Sequence, residues 1–563
     1  MSGLTKALRC WPWLAAICTG ILCAGCFAPL NHAWFCWIAL TPLLAAIWFS
    51  GENTRRRGLR DFFLGYVAGL PFFWIVFFWL RTVTVPGWFL VAPYMALYFA
   101  FWSWFCGVLR PSLRKERVAE PGTRWTEPPP NESPLSRSPW LRSTNNLRLA
   151  FLLAAIWVTQ ETLRSVVFSG WGWNTLGSAL HAHWPLIQIV EFTGVAGLSF
   201  LVAFSNVIIL SSIRRFILET RVRPVRAHFD LTLTMAAIVG VIGYGVHALQ
   251  IQRSTKPLRV ALVQANIPRE EKFSREYAHK IFDQFARLSG PSVQTNPPVD
   301  LLVWPESSMP GPVLEDEESY RFVMDFSASA KIDLLLGTIE VDEKEAYNAA
   351  LLVSDGGKTT QLYKKVHLVP FGEYVPGRHF IPFISEVVGN QVPSDFAFGK
   401  EHTVFQLTKQ AARVAPLICF EDTIGELTRH FVLGGADLLV NVTNDGWFQR
   451  SAGSRQHLAN AVFRCVETRR PMVRAANTGV TCFINEFGRI TQTLVDESGS
   501  QFTEGVLSGE VGISTEREFT FYTRHGELFA YCCVAITILT LFYTVLFAKQ
   551  KQVGRRFAES GRS

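Results

Sequence analysis

The chain has 563 residues, of which 49% are hydrophobic and only 18% are charged, and 54 Lys and Arg against 46 Asp and Glu give a net charge of +8. A soluble domain has about 25% charged residues. The composition therefore excludes a disordered chain, a collagen and a small disulfide-rich domain, and it predicts membrane spans joined to a soluble part.

Eight apolar runs are long enough for a membrane-spanning helix, which needs about 20 residues. They cover residues 11–28, 33–50, 62–81, 87–109, 149–168, 192–213, 231–250 and 527–548. The first run also has features of a lipoprotein signal cleaved at Cys26, but the chain returns to the membrane at once, so we expect the run to be retained. The sequence thus predicts a bundle at 1–255, a globular domain at 256–515, and an eighth span with its tail at 516–563.

Lys and Arg concentrate in alternate loops between these runs. Clusters precede the first run, separate the second from the third, the fourth from the fifth and the sixth from the seventh, and follow the eighth. Because cytoplasmic loops carry the positive excess, we expect both termini in the cytoplasm and residues 256–515 in the periplasm. The segment 111–147 of the cytoplasmic link at 110–148 contains Pro128-Pro129-Pro130 and is predicted to be disordered. The basic total is then a topology signal, and no nucleic-acid partner is expected.

Two charged residues lie inside the fifth apolar run. Glu161 and Arg164 are three positions apart and therefore share one face of a helix. Ionisable groups inside a membrane are costly and often functional. The sequence leaves two interpretations open, a structural ion pair and a role in substrate binding.

The globular domain alternates short apolar strands with helices. The predicted strands begin at Arg259, Asp300, Ile332, Ala415 and Ala436, and the predicted helices cover 274–289, 317–330 and 453–469. Such alternation predicts an α/β layer fold, in which ligands bind near the carboxyl ends of the strands. Cys465 on a predicted helix and Cys482 on a predicted strand are expected in the core.

Three of these segments end in residues with reactive side chains. Glu306 follows one strand, Lys364 and Lys365 lie in an aromatic and proline-rich loop, and Cys419 follows another strand. Taken alone, each residue has an ordinary interpretation, as a solvated acid, a solvated amine or a buried structural thiol. Together they supply what covalent acyl transfer requires, which is a nucleophile, a base and a positive group for the oxyanion.

These residues belong to longer motifs, and with them the domain resembles the nitrilase, or carbon-nitrogen hydrolase, superfamily. The whole chain resembles the apolipoprotein N-acyltransferase family of bacterial inner membranes. The motifs that carry the resemblance are Gly25-Cys-Phe-Ala-Pro-Leu, Gln264-Ala-Asn-Ile-Pro, Trp304-Pro-Glu, Lys365-Val-His-Leu-Val-Pro-Phe-Gly-Glu-Tyr-Val-Pro, Cys419-Phe-Glu, Asn441-Val-Thr-Asn-Asp-Gly-Trp-Phe and Thr523-Arg-His-Gly. The implied fold is a membrane helical bundle of eight spans with an αββα sandwich domain.

The resemblance implies roles for particular residues. Glu306 is the expected general base, Lys365 and not Lys364 the amine that stabilises the oxyanion, and Cys419 the nucleophile. A further set is expected to bind substrate: Glu373 as a second functional glutamate, Phe420 and Glu421 beside the nucleophile, and Phe273 where many members have Trp. Asn444 and Trp447, at the end of a predicted strand, either line the same pocket or only pack there.

The implied reaction moves an acyl chain from the sn-1 position of a phospholipid, expected to be phosphatidylethanolamine, to the N-terminal amine of a diacylglyceryl apolipoprotein. A thioester on Cys419 is the expected intermediate. No cofactor and no metal are expected, because the His residues lack ligand spacing. The apolar stretch 377–398 is either a mobile arm at the membrane or a packed loop.

Two other functions remain open at this point. A membrane-anchored amidase of the nitrilase type would use the same three residues on a small amide, but it would need neither eight spans nor an apolar arm. A transporter with an attached binding domain would need more charged groups inside its spans than Glu161 and Arg164.

Overall fold

The computed structural model describes residues 2–51, 54–111, 139–219, 228–378, 395–408 and 410–560. The chain divides into two compact units. The helical unit contains Met1–Ala179, Ala196–Gly243 and Phe529–Ser563, and the sheet unit contains Leu180–Val195 and Tyr244–Leu528.

Helices form at every apolar run that the sequence identified. Their bounds are Ser2–Gly25, Thr41–Phe49, Arg57–Val76, Val85–Val108, Pro139–Val166, Val190–Glu219, Phe229–Ala248 and Leu528–Ser560. Within the described part of the chain, six of them are long and apolar enough to cross a membrane. The first two are shorter as apolar helices, at Cys10–Gly25 and Ala33–Phe49.

The second apolar run is divided by its own sequence. A 3-10 turn covers Ala33–Trp37, and the α-helix begins only at Thr41, with Pro42 in its first turn. Proline has no backbone N–H to donate, so it suits the start of a helix better than its interior. Eight spans therefore stay a prediction, which the length and composition of the helices support for six.

The predicted disordered link at 110–148 differs from the structure at its end. The helix Pro139–Val166 already includes the last residues of this link. Leu141, Arg142, Leu147 and Arg148 are good helix formers that lead into the apolar run, and Pro139 is compatible with a first helical turn. Residues 112–138 lie outside the described residues.

The two charged residues of the fifth run lie inside the helical unit. Glu161 and Arg164 are 6% and 3% exposed. Glu161 Oε1 accepts hydrogen bonds from the Trp157 indole at 2.9 Å and from the Leu176 N–H at 2.7 Å. Arg164 Nε and Nη2 have no hydrogen-bond partner among the residues that the structure describes. Both interpretations of this pair, structural and substrate-binding, therefore remain open.

The sheet unit contains two six-stranded sheets. The strands are β1 Thr255–Gln264, β2 Leu301–Val303, β3 Asp333–Asp342, β4 Glu345–Ser354, β5 Thr359–Lys364, β6 Phe405–Gln406, β7 Arg413–Ile418, β8 Leu438–Thr443, β9 Met472–Ala476, β10 Cys482–Ile484, β11 Ile490–Thr493 and β12 Gly505–Ser514. One sheet has the order β12-β1-β2-β3-β4-β5 and the other β11-β10-β9-β8-β7-β6. The five strands that the sequence predicts are confirmed as β1, β2, β3, β7 and β8.

Parallel strands lie at the centre of each sheet, β1, β2 and β3 in one and β7, β8 and β9 in the other. Their continuous apolar runs are buried on both faces, as parallel strands require. The two sheets contact each other through β1 with β9 and β4 with β7.

Helices cover the outer faces of the two sheets. Ala278–Val293 and Glu317–Ala330 pack on the first sheet, where Trp304 contacts Phe285, Phe322 and Phe326. Gly425–Leu433 and Gly453–Thr468 accompany the second. The unit is thus the αββα sandwich that the sequence predicts.

Candidate active site

Three loops at the carboxyl ends of strands carry the predicted catalytic residues. Glu306 follows β2, Lys365 follows β5, and Cys419 follows β7. Between β2 and β5 the chain direction reverses twice, because β4 is antiparallel to both β3 and β5. The ends of β2 and β5 therefore lie at the same edge of their sheet, which is how residues distant in sequence come together.

Cys419 occupies a strained turn. Its φ angle is 52°, in the left-handed region that residues with a Cβ avoid, and it begins a 3-10 turn at Cys419–Thr423. The turn is held from behind, since the Cys419 carbonyl accepts a hydrogen bond from Asn441 Nδ2 at 2.9 Å. The residue as a whole is partly exposed, although most of β7 before it is buried. This geometry presents a thiol at the end of a rigid strand.

The thiol of Cys419 is protonated at neutral pH. Burial and the neighbouring Glu306 carboxylate raise the pKa of Cys419 well above its ordinary value, and Lys365 opposes this only in part. Because a thiolate and not a thiol is the nucleophile, attack by this sulfur requires a base.

Glu306 has the properties of such a base. Its carboxylate is 8% exposed and Oε1 accepts a hydrogen bond from Asn348 Nδ2 at 2.8 Å. Oε2 is buried and has no hydrogen-bond partner among the described residues. The backbone passes so close that a Cβ at Gly337 would lie 2.5 Å from the Glu306 Cα, so only glycine fits there. One carboxylate oxygen is therefore fixed and the other is available for a proton.

Lys365 is buried at 1% exposure and forms an ion pair with Glu373. Its Nζ lies 2.9 Å from Glu373 Oε1 and 2.8 Å from Oε2. Burial alone lowers the pKa of Lys365, but interactions with the acidic groups around it, Glu373 above all, outweigh burial and raise the pKa above its usual value. Lys364 instead pairs with the exposed Asp342 at 2.7 Å. Of the two lysines, Lys365 is thus the one that lies in the cluster, and its raised pKa keeps it charged.

Glu421 connects two of the three loops. Its Oε1 accepts hydrogen bonds from the Val366 N–H at 2.9 Å, the His367 N–H at 3.0 Å and the Tyr363 hydroxyl at 2.8 Å. Its Oε2 accepts from the Ile418 N–H at 2.9 Å. Burial raises the pKa of Glu421. Lys365 and these donors lower it in part, so the net pKa is about 7. This carboxyl holds the turn at Cys419 against the loop that carries Lys365.

The other predicted binding residues have different surroundings. Phe273 is 55% exposed, and the Phe420 ring stacks on His367 at 5.9 Å. Asn444 accepts a hydrogen bond from Asn477 Nδ2 at 3.3 Å, and the Trp447 ring lies 3.6 Å from the Arg269 guanidinium. The roles of these four residues stay predictions.

Most of the apolar stretch 377–398 lies outside the described residues, which resume at Asp395. The Val375 N–H before the gap donates to Asp395 Oδ1 after it at 3.1 Å, and the residues that follow the gap contact the cluster. The Phe396 N–H donates to the Glu373 carbonyl at 2.9 Å, and the Gly399 N–H donates to the Lys365 carbonyl at 2.7 Å.

Sequence reasoning missed two polar residues of this cluster. Asn348 Nδ2 donates to Glu306 Oε1 and, at 2.6 Å, to Glu373 Oε1, so it joins the two carboxylates. Lys272 is 2% exposed, and its Nζ donates to the Glu306 carbonyl at 2.7 Å. A lone amide inside the apolar strand β4 is a signal that could have identified Asn348. Lys272 lies in the charged run Arg269-Glu-Glu-Lys, which is typical of an exposed helix.

Two family models match this chain. The carbon-nitrogen hydrolase model matches residues 259–520, and the model of the apolipoprotein N-acyltransferase N-terminal domain matches residues 19–208. Together they cover both the sheet-forming segment and most of the helical segment.

Relatives with known names are similar over much of the length. An apolipoprotein N-acyltransferase of Geobacter metallireducens is 34% identical over 533 residues, which is 93% of this chain and 93% of the relative. One of Nitrosomonas europaea is 34% identical and aligns with 71% of this chain and 76% of its own length. Apolipoprotein N-acyltransferase 1 of Treponema denticola is 28% identical over 72% of this chain and 79% of its own.

Proposed function

This chain belongs to the apolipoprotein N-acyltransferase family, and we propose that it passes an acyl chain from a membrane phospholipid to lipoproteins through a thioester on Cys419. Membership makes it an N-acyltransferase of lipoprotein maturation. The phospholipid donor, the thioester and the residue roles are the proposal. The observation that supports them most is the cluster itself, in which the thiol of Cys419 neighbours a buried carboxylate and a charged, buried lysine, and one oxygen of that carboxylate has no hydrogen-bond partner among the described residues.

The first half-reaction begins with proton transfer from the Cys419 thiol to Glu306 Oε2. The sulfur attacks the carbonyl carbon of the sn-1 ester, and the negative oxygen that develops is stabilised by the Lys365 ammonium. The tetrahedral adduct then breaks its bond to the glycerol oxygen. That oxygen takes the proton from Glu306 and leaves as a lysophospholipid, so Cys419 carries the acyl chain and Glu306 is a carboxylate again.

The second half-reaction uses the N-terminal amine of a diacylglyceryl-cysteine apolipoprotein as the nucleophile. The neutral amine attacks the thioester carbonyl, and Glu306 accepts the proton that the nitrogen loses. The carbon–sulfur bond breaks, the proton returns to the sulfur, and the amide product leaves. Each half-reaction thus restores the charge of the cluster, and phosphatidylethanolamine is the donor we propose.

We propose the orientation of the protein in the membrane from the positive charge of its alternate loops. Eight spans put both termini in the cytoplasm and the domain at 256–515 in the periplasm of an inner-membrane protein. The bundle at 1–255 and the span in 516–563 then attach this domain to the membrane at both ends of its sequence. Both substrates have acyl chains in the bilayer, so neither has to leave it to reach the thiol.

Mass spectrometry of the full chain tests the thioester. The purified protein is incubated with phosphatidylethanolamine that has a deuterated sn-1 chain, without acceptor. We expect the mass of the deuterated acyl group on the peptide that contains Cys419. The Cys419→Ala variant should show no adduct, whereas Cys532→Ala, which removes an exposed thiol of the last helix, should keep it on Cys419. Acyl transfer by Cys419→Ala to an added acceptor would contradict the assignment.

A further inference from the structure

The side chain of Lys272 is directed inward from an exposed segment. It ends the short helix Arg269–Lys272, whose other residues are exposed or half-buried, yet it is itself 2% exposed. Its Nζ donates to the Glu306 carbonyl at 2.7 Å. Buried lysines are rare unless they are paired, so this amine needs a partner of opposite charge.

The charges around Glu306 and Cys419 are unequally distributed. Lys365 donates hydrogen bonds to both oxygens of Glu373, so its positive charge is already paired with that carboxylate. Glu306 receives only an uncharged donor, the Asn348 amide, on Oε1 and has no hydrogen-bond partner in the described structure on Oε2. Without another cation, Lys365 would compensate the buried negative charge of Glu306 and Cys419 only in part.

The charged neighbours of Lys272 are the two reacting groups. Burial lowers the pKa of Lys272, and Glu306 and Cys419 raise it in part, so the net pKa is about 8. The amine is thus still mainly protonated near pH 7. The other charged groups that act on Cys419 are Lys365 and Glu373, and Glu421 acts on Lys365.

We propose that Lys272 is a positioning residue that supplies the counter-charge of the Glu306–Cys419 pair. Before proton transfer the negative charge lies on the Glu306 carboxylate, and afterwards it lies on the sulfur. A cation that interacts with both sites stabilises the charge in either place, so the proton moves without leaving an unpaired buried ion. The hydrogen bond to the Glu306 carbonyl also fixes the turn from which this carboxylate extends.

The inference rests on the proposed nucleophile, but it is tested without any acyl donor. The rate at which iodoacetamide alkylates Cys419 in the full chain is measured from pH 6 to pH 9 by mass spectrometry of the Cys419 peptide. Lys272→Gln keeps a donor for the Glu306 carbonyl and removes the charge, Lys272→Met removes both, and Lys272→Arg keeps the charge. Lys364→Met is the matched control, since it removes the adjacent lysine that pairs with Asp342 outside the cluster.

We expect the neutral variants to need a pH about one unit higher for the same rate, hence about tenfold slower alkylation at pH 7. Lys272→Arg and Lys364→Met should follow the unsubstituted protein. The buried Cys465 and Cys482 of the same unit must stay unmodified, which certifies that a variant is folded. The conclusion is drawn from whichever neutral variant keeps them protected.

A profile of the folded neutral variant that superimposes on that of the unsubstituted protein would overturn the role of Lys272. Equal slowing by Lys364→Met would also overturn it, because the effect would then not be specific to the buried amine. Failure of the proposed function is a separate result: the acyl adduct on Cys419 would be absent while the alkylation profiles still differ.

Discussion

The two lysines at the end of β5 acquire opposite environments from the geometry of a strand. Successive side chains of a strand point to opposite faces. Tyr363 is buried, Lys364 faces outward to Asp342, and Lys365 faces inward to Glu373. The sequence motif predicts that Lys365 is the catalytic lysine, and this alternation is the physical reason why Lys365 and not Lys364 is buried. A shift of one residue would exchange the buried amine for the exposed one.

Replacement of Glu421 should lower the stability of the two loops that carry Cys419 and Lys365. All four of its donors are N–H or O–H groups that require an oxygen acceptor. In Glu421→Gln the amide nitrogen replaces one oxygen, so either the Ile418 N–H or the three donors that face Oε1 lose their acceptor. We expect the free energy of unfolding to fall by about 1–3 kcal/mol, measured by thermal unfolding in detergent.

The matched control for this change is Glu497→Gln. Glu497 is exposed in a loop of the same unit, so the same loss of charge should leave the unfolding temperature unchanged. A Glu421→Gln variant as stable as the unsubstituted protein would mean that this carboxyl does not hold the two loops together.

Individual residues of the cluster differ in how far the sequence predicts them. Glu306, Lys365 and Cys419 each belong to a motif, so the sequence could name them. Lys272 could not be predicted, because its burial depends on the loop after β2, more than thirty positions away in sequence. Local charge patterning predicts exposure for such a residue, and only the tertiary contact reverses it.

The turn at Cys419 is an element under strain, and its cost can be measured. The φ angle of 52° is unfavourable for any residue with a Cβ and costs nothing at glycine. We expect Cys419→Gly to be more stable than Cys419→Ala by about 1 kcal/mol, seen as a higher melting temperature in the same detergent. Ser307 and Phe371, in the loops of Glu306 and Glu373, also have positive φ angles, so strain accompanies the cluster.

Cys482 is the control position for this comparison. It lies in strand β10, where glycine has no steric advantage and loses packing. Cys482→Gly should therefore be less stable than Cys482→Ala, the opposite order. If glycine were the less stable choice at both positions, the turn at Cys419 would not be strained.

Among the elements, the sequence predicts the buried parallel strands best and the conformation of the second predicted span least well. Strands β2, β7 and β8 were predictable because continuous apolar runs are buried on both faces. The run at 33–50 has the same apolar character throughout, yet a 3-10 turn and a helix share it. Hydropathy records the burial of a segment but not its backbone conformation.

In the mechanism that we propose, the whole molecule has to bring a thiol to substrates that stay in a bilayer, and its topology decides whether this is possible. An even number of spans keeps both termini on one side of the membrane. Six helices in the described part of the chain are long enough by themselves. The first two predicted spans are shorter as apolar helices. They therefore either cross the membrane as a short pair or remain on one side of it.

Labelling with a membrane-impermeant maleimide distinguishes these two cases. His32 is exposed between the first two helices, and Arg55 is exposed after the second. If both helices cross, His32→Cys should be labelled in cells whose outer membrane has been permeabilised, whereas Arg55→Cys should react only after lysis. Glu497→Cys, in the domain that we place in the periplasm, is the positive control. Mass spectrometry of each peptide reads the label without removal of the native cysteines. Equal protection of positions 32 and 55 would reduce the whole chain to six spans, and protection of position 497 would reverse the orientation that the basic loops predict.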